Sequence, residues 1–348
     1  MPVLISDLWT PAVWINGATE KQATLPSLFN SGVVTRTPEL DAIATGAGTT
    51  VNIPFFKDIT DQADEVQIEN TGPTTDNGQP SGLMVGTVLN RVTKNSATAL
   101  AAQVSGSDPV GSMTAQIAER RLKQRQTTLI ATLRGLFNAT AAANAAAPLS
   151  AVRYGGTTAE PFIETGNTAV AANKISADVW IDTCALMGEL ADDLKNGVFL
   201  CHPVVKAALM KLDGASFKNG VQSGLPFTIT TYREVPIFTS AALARAGTTN
   251  GFVYDSYLMT RGSVGMGEKA QQGDVVDAAS LQFWRDPDKN NEYIYDRTRF
   301  LMQVLGTKWV GTPAAQSATN TELQTAANWN LVFQTANRCG VTCLRTNG

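Results

Sequence analysis

His202 is the only histidine among 348 residues, so any catalytic triad or imidazole base has to be built on it. It stands in LCHPVV, directly before Pro203, where a side chain caps a strand-to-helix turn more naturally than it activates a nucleophile. Cys201 adjoins it and Asp213 follows further on, at no spacing that suggests a catalytic pair. The four cysteines are Cys184, Cys201, Cys339 and Cys343, and only the last two are close, as C-x-x-x-C. With one histidine to share, a zinc site must be mostly cysteine. Reduced structural thiols in a cytoplasmic compartment are the expectation, with a metal or disulfide pair at Cys339 and Cys343 as the alternative. Residues 265–270 (GMGEKA) fit G-x-G-x-x-A, and Asp286 stands where a ribose-binding acid would. That fingerprint needs a helix opening at the glycines, and GEKAQQGD reads as a polar loop. The chain contains no G-x-S-x-G elbow, H-E-x-x-H pair, Walker lysine motif or EF-hand loop. Asp192 and Asp193 are adjacent, on a helix whose reading turns them to solvent. No catalytic, cofactor or metal residue is assigned.

Composition points the same way. Apolar residues make up 43%, enough for a sizeable core and about two domains. Charged residues are only 16%, well below the usual quarter, so the surface is either unusually neutral or covered by partners. A net charge of −3 argues against tight duplex DNA binding, which needs Lys and Arg to displace counterions. The start lacks the basic and apolar regions of a signal peptide, and no apolar run is long enough to span a membrane.

The elements follow an unusual order. Residues 1–48 form an arm broken by Pro2, Pro11, Pro26 and Pro38. Two strand-like runs, residues 50–59 (TVNIPFFKDI) and 83–92 (LMVGTVLNRV), flank a long polar tip. From residue 58 to 90 there is no Lys or Arg, while Asp58, Asp61, Asp64, Glu65, Glu69 and Asp76 are acidic. A loop this long is uncommon in a compact domain unless functional or disordered, and a two-stranded ribbon is marginal alone. The pattern predicts a projecting hairpin that rests on a neighbour. Ser107-Asp108-Pro109 then opens a helix, with Asp108 capping and Pro109 in the first turn. Met113, Ile117, Leu122, Leu129, Leu133 and Leu136 carry its apolar spacing to about residue 139. Arg120, Arg121, Lys123 and Arg125 form its basic middle, as a solvated face, a partner for the hairpin acids of a neighbour, or a contact to DNA. After an Ala-rich linker come a helix over 175–196 capped by Ser176, a strand VFLC, a helix from Pro203, and the strand-like runs FTITTY, VPIFTS, GFVYDSYLMT and 293–310. This mixture reads as α+β with a mainly antiparallel sheet.

Arm, long hairpin, spine helix and α+β lobe, in that order, resemble the Hong Kong phage-type capsid fold. Residues 32–59, 105–137, the CHPVVKAALMKLD helix and 319–333 (TNTELQTAANWNLVF) are similar to the major coat (capsid) protein family of tailed bacteriophages. The tail NRCGVTCLRTNG departs from that pattern. The resemblance implies an arm at 1–48, an extended hairpin loop with its return at 49–104, and the spine helix of a peripheral domain at 105–147. It further implies a linker at 148–172, an axial domain at 173–290, and a return to the peripheral domain with C-terminal strands at 291–348. The implied function is a structural subunit that self-assembles as pentamers and hexamers into an icosahedral head around double-stranded DNA. A separate scaffolding protein, a portal and a decoration protein are implied partners. The virion is the implied location, with assembly in the host cytoplasm. No enzymatic activity, cofactor or membrane contact is expected. Candidate intersubunit contacts are Phe55, Asp64, Glu65, Val88, Arg120, Arg121, Lys123 and Arg125. An encapsulin-like nanocompartment is the alternative with the same fold, and a nucleotide-cofactor enzyme the alternative of another class.

Overall fold

A computed structural model describes residues 29, 31–57, 59, 66, 69, 78–98, 109–138, 148–154, 173–212, 217–221, 228–246, 252–270, 272–273 and 277–347. Residues 1–28 and 30 of the expected arm, most of the hairpin tip (Asp64 and Glu65 included), Asp108 and most of the linker lie outside the described residues.

The first lobe is organised by one long strand, Asn291–Val304. One edge pairs antiparallel with Ser81–Thr98, from Asn291 opposite Thr98 to Leu301 opposite Val88. On its other edge Ser280–Asp286 covers the first half and Val264–Glu268 the last five residues, both antiparallel. Val34–Arg36 closes this edge in parallel with Val264–Met266. The Ser81–Thr98 strand is shared between two structures. Its first seven residues pair with Thr50–Phe56 to make the hairpin, and the remainder belongs to the sheet.

The spine helix is Pro109–Leu136, about 42 Å at 1.5 Å per residue. It is amphipathic lengthwise as well as around its axis. Its second half, from Gln126, is nearly all buried, whereas its first half is exposed or half-buried except at Pro109 and Ile117. Leu129, Leu133, Leu136 and Phe137 form the main core with Trp309 and Trp329, whose rings meet edge to face at 5.0 Å. Gly135 lets the short helix Asn320–Gln324 approach, because a Cβ there would stand 2.0 Å from the Leu323 carbonyl oxygen. That short helix carries a capping box, Thr319 with Glu322, and the Trp329 indole donates to the Leu323 carbonyl at 2.8 Å.

The second lobe is a mixed, mainly antiparallel sheet in the order Val152–Tyr154, Val341–Thr346, Phe252–Met259, Val198–Cys201, Val235–Thr239, Thr228–Tyr232, Phe217–Val221. The helices Ala177–Ala185 and Pro203–Leu212 contribute Val179, Trp180, Val205 and Leu209 to its core. Trp180 sits edge-on to Phe199 at 4.7 Å and to Tyr232 at 5.3 Å.

Three expectations need correction. The helix expected over 175–196 is two pieces, Ala177–Ala185 and a 3-10 stretch Gly188–Asn196. Gly188 adopts φ +58°, a left-handed conformation that an α-helix cannot continue through. Ser176 does cap the first piece, accepting the Val179 amide at 3.2 Å. The strand expected over 293–310 turns at Gly306, φ +78°, and resumes as Thr307–Trp309. Finally, Val264–Glu268 and Ser280–Asp286 hydrogen-bond into the first sheet ahead of residue 291, and Val341–Thr346 lies in the second. Sheet membership is decided by partners far away in the chain, which no local pattern reveals.

Candidate assembly surfaces

The hairpin base alternates strictly, with Thr50, Asn52, Pro54 and Phe56 exposed and Val51, Ile53 and Phe55 turned inward. Phe55 meets Phe333 of the same chain edge-on at 5.4 Å, so its ring is already engaged. Phe56 takes the outward place at 72% exposure, joined by Ile59, Val66 and Leu83 among the exposed large apolar side chains. Val88 is fully buried inside its own subunit. As a contact to a neighbour Val88 is therefore corrected, because reaching one would require opening the core. Adjacent phenylalanines hid the parity, since either could have faced outward.

The basic middle of the spine helix is partly spoken for. Arg121 forks onto Asp296 at 2.8 Å, and Arg120 approaches the same carboxylate at 3.6 Å. Asp296 is buried, so this pair fastens helix to sheet. Arg125 hydrogen-bonds Glu268, which Arg36 also approaches at 3.9 Å. Lys123 is exposed. Hence three of the four cations that the sequence offered to a neighbour hold carboxylates of their own chain. The signal for the missing partners was weak: Asp296 stands in a strand whose alternation marks it inward, but its mate is 175 residues away.

The GMGEKA segment is a strand at Val264–Glu268, not a loop opening a helix. Its second glycine is a packing device. A Cβ on Gly267 would lie 2.0 Å from the Leu40 carbonyl oxygen, so glycine lets the helix Pro38–Thr45 sit directly on the strand. Gly267→Ala should push that helix away and lower subunit stability by about 1–3 kcal/mol, read by urea unfolding; an unchanged midpoint would contradict this packing.

His202 does what its position suggested. Its Nδ1 accepts the Val204 amide at 3.2 Å, and its ring stacks on Tyr254 at 4.6 Å. Burial lowers its pKa below the ordinary 6.5, which favours the neutral ring that can accept this bond. The stability so gained is present above the ordinary value and is lost as pH falls through the lowered one. Burial pushes the Cys339 and Cys201 thiols up to about 12 and Cys184 to about 11, which suppresses the reactive thiolate. None of the four cysteines is in a disulfide, and Cys343 is buried too. His202→Ala should leave assembly intact, and neither reductant nor chelator should dissolve assembled particles; collapse under either reagent would expose a crosslink or metal. Among the described residues no cluster of His, Cys, Asp and Glu could hold a metal ion, and no helix is long and apolar enough to cross a membrane.

No family model matches the chain. It is 24% identical over 335 residues to the major capsid protein of Bacillus phage SPP1, spanning 95% of this chain and 93% of that one. Among solved structures it is similar to the capsid of Ralstonia phage GP4, with a TM-score of 0.63 at 10% identity over 97% of this chain and 96% of that one. The cyanophage Pam1 capsid gives 0.58 at 14% identity over 98% of each chain. The SrpI encapsulin of Synechococcus elongatus gives 0.52 at 14% identity over 97% of this chain and 92% of that one. The fold is that of tailed-phage capsid proteins.

Proposed function

We infer that this chain is a major capsid protein of a tailed phage, a structural subunit that associates with copies of itself into a closed shell. The observation that carries this reading is likeness along the whole chain: a phage major capsid protein matches it over 95% of its length, and the fold agrees from end to end. An outward apolar hairpin supports it, since exposed large apolar side chains at the base of a projecting ribbon suit an interface better than solvent. In this reading the first lobe is the peripheral domain, the second is the axial domain around which rings of five and six close, and the hairpin is the extended loop. The shell encloses double-stranded DNA without reading its sequence, as the net charge of −3 suits. Scaffolding protein, portal and decoration protein are its proposed partners, and the virion, assembled in host cytoplasm, its place. An encapsulin-like compartment is the second reading, and it ranks below because the curated relative that matches along the chain is a phage major capsid protein.

Imaging decides between them. Purified alone or with a scaffolding protein from the same genome, the protein should form closed icosahedral shells with rings of five and six, and native particles should protect DNA from nuclease. A protein that stays monomeric under both conditions overturns the reading, and small shells holding enzyme cargo favour the second.

A further inference from the structure

We propose that an open, aromatic and cationic face of the first sheet binds an acidic, extended segment of a separate accessory protein; the proposal rests on the capsid reading and gives one of its partners a surface. The strand Asn291–Val304 turns Asp296 and Phe300 toward the spine helix. Alternation then turns Tyr293, Tyr295, Arg297 and Arg299 to the opposite face. There the helix Pro38–Thr45 lies over one end, where its Ala44 carbonyl accepts from Arg299 at 2.7 Å. Past Arg299 the face is open: Val92 is 63% exposed, Trp284 51%, and Lys94 is exposed as well. Three strands share it in register, with Trp284 opposite Tyr293, Gln282 and Lys94 flanking Tyr295, and Val92 opposite Arg297.

Three rings form its floor. Trp284 stacks on Tyr293, with ring centres 5.3 Å apart and planes at 21°. The Lys94 ammonium lies 4.0 Å from the centre of the Tyr293 ring and 5.4 Å from that of Tyr295. Arg297 lies 5.2 Å from the Tyr295 ring and donates to the Gln282 side-chain carbonyl. The partners of both cations are therefore neutral, and no Asp or Glu stands among these facing residues. An ammonium has three donors and a guanidinium five, so a ring and one amide leave N–H groups for carboxylates.

Size and charge select the occupant. Lys94 and Arg297 are diagonal neighbours on adjacent strands, about 7–8 Å apart. Carboxylates two positions apart in an extended chain are separated by about 7 Å, at about 3.3 Å per residue. The face is about 10 Å wide across its three strands. That suits one peptide segment rather than the roughly 800 Å² that a whole partner surface covers. A separate protein fits better than another copy, because ring-stacked cations stay hydrated in the free subunit, as at interfaces between proteins that fold first and meet later. Contact between copies has its own surface in the apolar side chains Phe56 and Leu83 of the hairpin base.

Photocrosslinking tests this. A benzophenone amino acid in place of Val92 in native particles should join, under light, to a different virion protein through a segment rich in Asp and Glu, identified by mass spectrometry. The same group in place of Val204, exposed on the second lobe, should not reach that segment. A synthetic peptide of the captured segment should bind the wild-type subunit saturably. Lys94→Glu with Arg297→Glu should weaken that binding at least about tenfold, and Lys in place of the peptide's acids should restore it. Lys94→Glu alone, at an exposed position, should give part of the loss. Shell yield and the subunit's unfolding midpoint should not move in either variant. Crosslinks to this chain alone, to DNA, or to nothing overturn the assignment, and so does peptide binding that charge reversal leaves unchanged. Variants that bind the peptide poorly but also fail to assemble place the face between copies and overturn it too. Wild-type protein that forms no shells overturns the capsid reading instead.

Discussion

Asp255→Ala should destabilise the unassembled subunit by about 3–5 kcal/mol, the cost expected when one partner of a buried ion pair is removed. Asp255 is completely buried, and Arg345, facing it across two neighbouring strands, is 2% exposed at its side chain. The Arg345 Nε donates to Asp255 at 3.1 Å, while its Nη2 donates to the carbonyl of Phe137, just past the end of the spine helix. Arg134, in the last turn of that helix, stands 4.0 Å from the same carboxylate and donates to the Ala242 carbonyl at 2.7 Å. Two cations thus gather at the negative end of a helix macrodipole, around one carboxylate of the second sheet. This cluster pins the spine helix to the second lobe. Without Asp255, Arg345 is a buried charge that has lost its carboxylate partner, and Arg134 loses a nearby counterion. Replacing both members, as Asp255→Leu with Arg345→Met, should cost less than Asp255→Ala alone, because no orphaned charge remains. Urea unfolding of the three proteins measures this. A loss below about 1 kcal/mol for Asp255→Ala would mean that water or relaxation solvates Arg345, and the pin would be discarded.

None of that cluster was legible in the sequence. Asp255 and Arg345 are 90 residues apart, and no local pattern pairs them. Local features were legible. The expected runs at 50–59 and 83–92 correspond to strands Thr50–Phe56 and Ser81–Thr98, and the spine helix ends within three residues of the expected position. Ser176 and His202 were both read correctly as caps, since capping chemistry is decided within a few residues. The failures share one cause: the decisive partner is remote. Seven residues of Ser81–Thr98 pair with the hairpin and eleven with Asn291–Val304, and nothing between Ser81 and Thr98 announces the exchange. The same holds for Val88, whose apolar character was visible but whose burial depends on elements that follow later in the chain. Arg121 and Arg125 looked available because Asp296 and Glu268 lie more than 140 residues downstream.

Deleting residues 61–80 should leave a folded, soluble subunit whose yield of closed shells falls about tenfold or more. The fold should survive because the deletion removes no paired strand among the described residues. Phe56 and Ser81 still face each other, and residues 57–60 remain as a four-residue loop, a common hairpin length. The Phe55–Phe333 contact is untouched, and so is the pairing of Ser81–Thr98 with Asn291–Val304. What disappears is the acidic stretch and Val66, which is 87% exposed. Covering one such side chain at a neighbour contributes about 1.5–3 kcal/mol, and about 1.4 kcal/mol is a tenfold change in an equilibrium. A shell repeats the loss at every interface, so a modest defect per contact becomes a large one in closed particles. Phe56→Asp separates area from charge. It keeps the tip but places a carboxylate where a 72% exposed ring stood, and it should lower shell yield without shifting the subunit's unfolding midpoint. Dichroism, sedimentation and electron microscopy of the two variants read the outcome. Normal shells from the deletion would show that the removed tip, Val66 included, makes no contact between copies that assembly needs. A midpoint lowered by Phe56→Asp would place that ring in the subunit's own stability instead.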